Sequence, residues 1–195
     1  VLYQAGSSGR GQAFAARHAE CVFVSSQTKE GLRKLVAEVR ESVAREGRNP
    51  RDIKFFMGVT AVVGRTQAEA REKHAEYLRY ANPEAGLAHY ASSTGIDFSR
   101  YGAQEPIRYV KNNAIESAVK NLTVTRTDRT VTDLLADMAL GGRYPALVGS
   151  AAQVADELES WVAETDIDGF NLARTVTPEC YGDFIDPVSY THLRA

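Results

Sequence analysis

Residues 1–24, VLYQAGSSGRGQAFAARHAECVFV, decide how the rest of the chain is read. Residues 1–5 (VLYQA) predict a strand, and residues 9–19 (GRGQAFAARHA) carry Phe14, Ala15, His18 and Ala19 at helical spacing. Residues 21–24 (CVFV) are a short unbroken apolar run. Apolar side chains on successive residues suit a strand covered on both faces, as in a parallel sheet flanked by helices. Strand, Gly/Ser turn, helix and strand therefore set the construction unit as β followed by α.

Working outward, the same unit recurs. From Lys29 to about Glu46, Leu32, Leu35, Val36, Val39 and Val43 repeat at three- and four-residue steps, and Gly47 with Asn49-Pro50 stops the helix. Residues 54–63 (KFFMGVTAVV) predict a strand, and Thr66 with Glu69 forms a capping-box pattern opening a helix through about Tyr80. Residues 82–147 break the rhythm. AHYASSTGIDFSRYGAQEPIRY reads as loop-like and VTDLLADMAL as a short helix, so this stretch is an expected excursion from the main fold. Gly149-Ser150 then caps a helix carrying Val154, Leu158, Trp161 and Val162, and residues 168–173 (DGFNLA) supply a last strand. The expected α/β architecture has four parallel strands with right-handed crossovers. Pattern alone fits both an open doubly wound sheet and half of an eight-stranded barrel.

Composition narrows the function classes. With 44% hydrophobic and 25% charged residues, a chain of 195 residues can build a soluble core. Its 23 basic and 25 acidic residues are spread evenly, which leaves no electrostatic footprint for nucleic acid or an anionic membrane. No apolar run approaches the roughly 18 residues that a spanning helix needs. Cys21 and Cys180 have neither metal-site spacing nor the density of a disulfide framework, so a reducing cytoplasm is the expected setting.

The chemistry-bearing candidates cluster at the first βα turn. Gln4, Ala5, Gly6, Ser7 and Ser8 lie between the first strand and its helix, and Arg10 follows. A helix start offers unpaired N–H groups and about half a positive charge, which suits a phosphate. Gly6 permits close backbone approach, and the two hydroxyls can donate to phosphate oxygens. The motif equally fits a plain N-cap after a tight turn. Gly149-Ser150 presents the same two readings, and Asn171 and Arg174 stand where the last strand ends. His18, His74 and His89 lack metal-type companions, so no metal site is expected. Cys21 reads as a small apolar filler, while Cys180 can be exposed but has no activating neighbour. His89, Tyr90, Phe98, Tyr101 and Tyr109 form either a lid over an apolar substrate or loop packing.

VLYQAGSSGRGQAFAARHAECVFV, GGRYPALVGSAAQVADELESWV and DGFNLA, in this order, resemble stretches of the bacterial-luciferase-like FMN-dependent monooxygenases. The branch is that of nitrilotriacetate, dibenzothiophene-sulfone and long-chain-alkane monooxygenases. The likeness runs from Val1 to about Pro187. It implies a partial TIM (β/α)8 barrel, roughly strands 5 to 8 with a long insertion before the last βα segment. The expected organisation is a barrel portion over 1–187, with 82–147 as the insertion and 188–195 as a non-native, linker-like tail from which His192 is not recruited.

The resemblance also implies the cofactor reduced FMN and the co-substrate O2, with one oxygen atom passing to a small organic substrate. A separate NAD(P)H:flavin reductase would supply the reduced FMN, and the full-length protein is expected to be a homo-oligomer. It assigns Gln4, Ala5, Gly6, Ser7, Ser8 and Arg10 to the cofactor and leaves the catalytic residues to the preceding strands, outside this chain. An isolated half-barrel is expected to be poorly stable and inactive, because its strand edges are uncovered. Two alternatives accompany this reading: a noncatalytic half-barrel binding a phosphate-bearing ligand, and a flavin- or F420-dependent oxidoreductase.

Overall fold

The computed structural model describes residues 1–5, 8–107, 130–140 and 144–190. Contacts divide the chain into two compact units, one of Val1–Tyr80 with Arg143–Ala195, the other of Ala81–Gly142.

The larger unit is a parallel sheet with helices. Its elements are β1 (Tyr3–Ala5), α1 (Gly9–His18), β2 (Cys21–Val24), α2 (Lys29–Arg45), β3 (Lys54–Gly64) and α3 (Gln67–Tyr80). After the smaller unit come β4 (Ala146–Ser150), α6 (Ala151–Thr165), β5 (Gly169–Ala173) and α7 (Glu179–Phe184). The long β3 organises the sheet. Its first residues pair with β2 (Cys21↔Lys54 to Val24↔Met57), its middle with β5 (Phe56↔Gly169 to Thr60↔Ala173), and its end with β4 (Thr60↔Ala146 to Gly64↔Ser150). β1 pairs with β2 from Tyr3↔Cys21 to Ala5↔Phe23.

Five strands replace the four expected, because residues 146–150 form β4 as well as a helix cap. Ala-Leu-Val-Gly-Ser is too short and too Gly/Ser-rich to announce a strand, and it pairs only because β3 runs on past β5 and offers an unpaired ladder. Ser150 is also the N-cap of α6, in a reciprocal capping box with Gln153.

Strand alternation separates two faces. Val22, Val24, Phe55, Met57, Val59, Ala61, Val63, Phe170 and Leu172 join one core with Leu32, Val36, Val39 and Val43 of α2 and Val154, Leu158 and Trp161 of α6. α2 presents that stripe because Thr28 caps its start by accepting from Gly31 N. It ends in a Schellman turn at Gly47 (φ 75°), with Arg48 N donating to Val43 O. At Thr66 only half of the expected box forms. Glu69 N donates to Thr66 Oγ1, but the Glu69 carboxylate accepts from Arg65 N and Nε.

One further expectation is corrected: Cys180 is buried, since α7 packs against β3. Val188, on the helical turn Ile185–Tyr190, is wholly buried in the main core.

The smaller unit contains α4 (Pro83–Thr94) and α5 (Val131–Met138). The loop-like reading is corrected at α4: Asn82 caps it, Pro83 sits at its first position, and Gly95 (φ 65°) closes it. Tyr90 and Phe98 stack at 6.0 Å and pack with Tyr101 among Leu87, Ile96, Ile107 and Leu134, so these aromatics are core to their own unit. Tyr109 lies outside the described residues.

Candidate functional site

Parallel pairing sends all strand carboxyl ends the same way, so Ala5, Val24, Gly64, Ser150 and Ala173 finish toward one rim of the sheet. Helices begin there. Ser8 has extended backbone (φ −65°, ψ 154°) and its Oγ accepts from Gly11 N at 3.2 Å, which makes it the N-cap of α1. That bond uses an acceptor lone pair and leaves the hydroxyl hydrogen to donate elsewhere. Gly9 follows, and a Cβ built on it meets no atom within 4 Å, so the first-turn backbone is open to approach. Arg10 is exposed beside it. Gln4 turns its amide onto Ala5 O (Nε2 donating, 3.0 Å) and so fixes the end of β1. Gly6 and Ser7 lie outside the described residues. Of the six residues expected at the cofactor, Gln4 and Ala5 thus end β1 while Ser8 and Arg10 open α1.

The sheet face away from the helices carries side chains that sequence reading did not single out. Tyr3, Phe23 and Phe56 share this face, Phe23 and Phe56 as register partners and Tyr3 diagonal to Phe23, with ring centroids 5.5 Å apart for Tyr3–Phe23 and 6.2 Å for Phe23–Phe56. Tyr3 and Phe23 are exposed and Phe56 is half-buried. Further along, the Tyr144 ring lies directly on Gly58: a Cβ at Gly58 would clash with Tyr144 Cε1. Asn171, the register partner of Gly58, is exposed on the same face. The alternation Phe56-x-Gly58-x-Thr60 could have shown which residues share this face. Tyr144 has no such signal, because its place follows from β4 folding back along β3.

Electrostatics differ at the two ends of the strands. Near the rim, Lys73 Nζ sits 2.6 Å from Asp183 Oδ2 and 3.5 Å from Glu179 Oε1, and it donates to Val63 O at 3.3 Å. Burial opposes the charge on Lys73, but Asp183 and Glu179 outweigh it and raise its pKa. Tyr77 donates to Glu179, and burial followed by that carboxylate pushes the phenol up to about 12. This cluster fastens α7 to α3.

At the opposite end the buried Arg40 donates to Pro50 O, Ile53 O and Asp166 O, and its guanidinium carbon stands 4.9 Å from the Phe55 ring centroid. Its Nε lies 2.8 Å from Asp166 Oδ2, an ion pair whose N–H points off the hydrogen-bond line. Burial disfavours ionised Asp166, yet Arg51 and Arg40 more than offset this and hold its carboxyl low. A shallow depression at α3 is lined by Arg65, Thr66, Ala68, Glu69 and Glu72, and its carboxylates suit it poorly to anions. Among the described residues no His/Cys/Asp/Glu group can hold a metal ion, and no helix is long and apolar enough to cross a membrane.

Comparison with known proteins gives one family. The family model for luciferase-like monooxygenases matches residues 2–168. The chain is 42% identical over 188 residues to dimethyl-sulfide monooxygenase of Hyphomicrobium sulfonivorans, covering 95% of this chain and 39% of that protein. It is 38% identical over 189 residues to long-chain alkane monooxygenase of Geobacillus thermodenitrificans, covering 96% and 39%. Among solved structures it resembles riboflavin lyase with modified FMN and riboflavin, with a TM-score of 0.87 and 34% identity over 97% of this chain and 42% of that one. The chain spans about 40% of the length of the relatives it matches. That share accords with a partial barrel.

Proposed function

Because this chain belongs to the luciferase-like monooxygenases, we propose that it is the carboxyl-terminal part of a two-component flavin monooxygenase. The full-length protein takes reduced FMN from a separate NAD(P)H:flavin reductase and uses O2 to oxygenate a small organic substrate. It works in the cytoplasm as a homo-oligomer, while the isolated chain is inactive. The observation that carries this reading is the start of α1, where an N-cap hydroxyl, an open glycine and an exposed arginine meet at the carboxyl end of β1.

These residues fit a phosphate monoester. The Ser7 and Ser8 hydroxyls and the first-turn amides donate to its oxygens, Gly6 and Gly9 let the backbone approach, and Arg10 adds charge. Gln4 holds the Ala5 carbonyl and so orients the end of β1. The aromatic face of Tyr3, Phe23 and Phe56 offers an apolar wall that keeps water from the reacting groups. When bound, reduced FMN supplies the reducing equivalents that activate O2, and the protein's part is binding, orientation and dryness. The smaller unit corresponds to the family insertion.

The test is replacement of Ser7 and Ser8 by Ala in the full-length enzyme. Losing hydrogen bonds to a charged group costs about 1–3 kcal/mol, which weakens reduced FMN by roughly one to two decades. Because Ser8→Ala also removes a helix cap, Ser8→Asp serves as the control: it keeps the cap but sets a carboxylate against the phosphate. Weaker FMN binding in both variants is expected. An unchanged dissociation constant rejects the assignment.

A further inference from the structure

Resting on the monooxygenase reading above, we infer that the substrate is an uncharged organic molecule with an apolar body and one hydrogen-bonding heteroatom, and that Tyr144 is the wall that limits its size. Three observations meet on the sheet face opposite the helices.

The first is charge. Among the described strand residues that register places on this face, only Lys54 carries charge, and it lies at the amino end of β3, 3.0 Å from Asp168 Oδ1. The remainder of the face is aromatic, small or neutral polar, from Tyr3 through Phe23 and Phe56 to Gly58 and Asn171. A carboxylate laid on such a surface loses its water without gaining a cation, which costs several kcal/mol. A thioether or ketone loses little, and its one acceptor can be met by a neutral donor such as the Asn171 amide.

The second is shape. Gly58 leaves the space that the Tyr144 ring fills, so any side chain there would push the ring away from the sheet. The ring is half-buried, which leaves part of it open to a ligand on the side away from β3. Its position is fixed from behind, because Thr60 N donates to Pro145 O at 3.0 Å, one residue beyond Tyr144. A ring held against backbone is a hard stop for substrate length, and each methylene accommodated or refused in such a pocket changes selectivity by roughly tenfold or more.

The third is an unfilled polar group. Thr60 is buried on this face, two residues from Gly58, and its hydroxyl has no partner among the described residues. Buried hydroxyls are ordinarily paired, so this one marks where a polar atom belongs.

The test uses the full-length enzyme with reduced FMN and O2, and three probes: dimethyl sulfide, dibutyl sulfide and nitrilotriacetate. FMN affinity is measured first, and failure of the unsubstituted enzyme to bind it overturns the monooxygenase reading itself. With FMN bound, the expected KM for either sulfide is at least about tenfold below that for nitrilotriacetate. Tyr144→Ala is expected to lower KM for dibutyl sulfide relative to dimethyl sulfide by about fivefold or more. Tyr144→Phe keeps the wild-type ratio, and both variants keep FMN affinity within about twofold. Gly58→Ala, which pushes the ring outward, is expected to move the ratio the other way and serves if Tyr144→Ala does not fold. Preferred turnover of nitrilotriacetate, or an unchanged sulfide ratio in both Tyr144→Ala and Gly58→Ala with FMN binding intact, overturns the inference.

Discussion

Replacing Arg40 by Met is expected to destabilise the larger unit by about 3 kcal/mol. The guanidinium satisfies three backbone carbonyls, those of Pro50, Ile53 and Asp166, and with the desolvation of the buried charge set against it each bond contributes about 1 kcal/mol net. Methionine fills much of the same volume and keeps the contact with Phe55, so the loss is in polar satisfaction rather than in packing. The Coulomb gain from Asp166 adds little, because that carboxylate is about half exposed (48%), and this holds the total toward the low end for a broken buried pair. Trp161 is the sole tryptophan and is buried in the same core, so its fluorescence reports urea unfolding directly. Arg51→Ala is the comparison: Arg51 touches the same Asp166 at 2.6 Å from a 69% exposed position, and its loss is expected to cost less than about 1 kcal/mol. A loss below about 1 kcal/mol for Arg40→Met at unchanged m value would refute the claim that this residue clasps α2, β3 and the end of α6.

Arg48→Ala is expected to cost about 1–2 kcal/mol and to speed hydrogen exchange in α1, since Arg48 donates to the carbonyls of Ala15, Ala16 and Ala19 at the end of that helix. Tyr77 has a folded pKa raised to about 12 from 10.0, so its contribution to stability is complete below pH 10 and fades as pH rises toward 12. Tyr77→Phe should flatten that alkaline decline in urea midpoints, and an unaltered slope would remove Tyr77 as its source. Asp166 has the opposite sign: its carboxyl is held below 3.8, so its contribution is present above that value and is lost as pH falls further. Asp166→Asn should remove part of the acid-side decline, seen as a shallower fall in Trp161-monitored stability from pH 4 to pH 2.

Much of the fold was legible locally. CVFV reads as a strand and the α2 stripe as one helix face, because both periodicities are written in neighbouring residues; Val22 and Val24 meet the core with α2, whereas Phe23 is exposed on the other face, so β2 is covered on one side and not on the two that its apolar run predicts. The N-caps at Ser8 and Ser150 were equally local, since a hydroxyl before a helix needs only the next turn to act. β4 and α4 were missed for different reasons. α4 has a weak stripe dominated by Ala, Gly and Ser, so no apolar periodicity announces it and only its Asn-Pro start and Gly end mark it. β4 owes its existence to a partner more than eighty residues earlier in the chain.

What the sequence determined by itself was the β-then-α order, the capped helix start after β1 and the family that carries both. These depend on contacts within one or two turns of chain, where residue order is the geometry. The placement of Tyr144 on Gly58, the aromatic row shared by β1, β2 and β3, and the clasp of Arg40 on three carbonyls from two distant segments were decided only by the tertiary structure. Strand register, which no single strand encodes, sets which distant residues face one another.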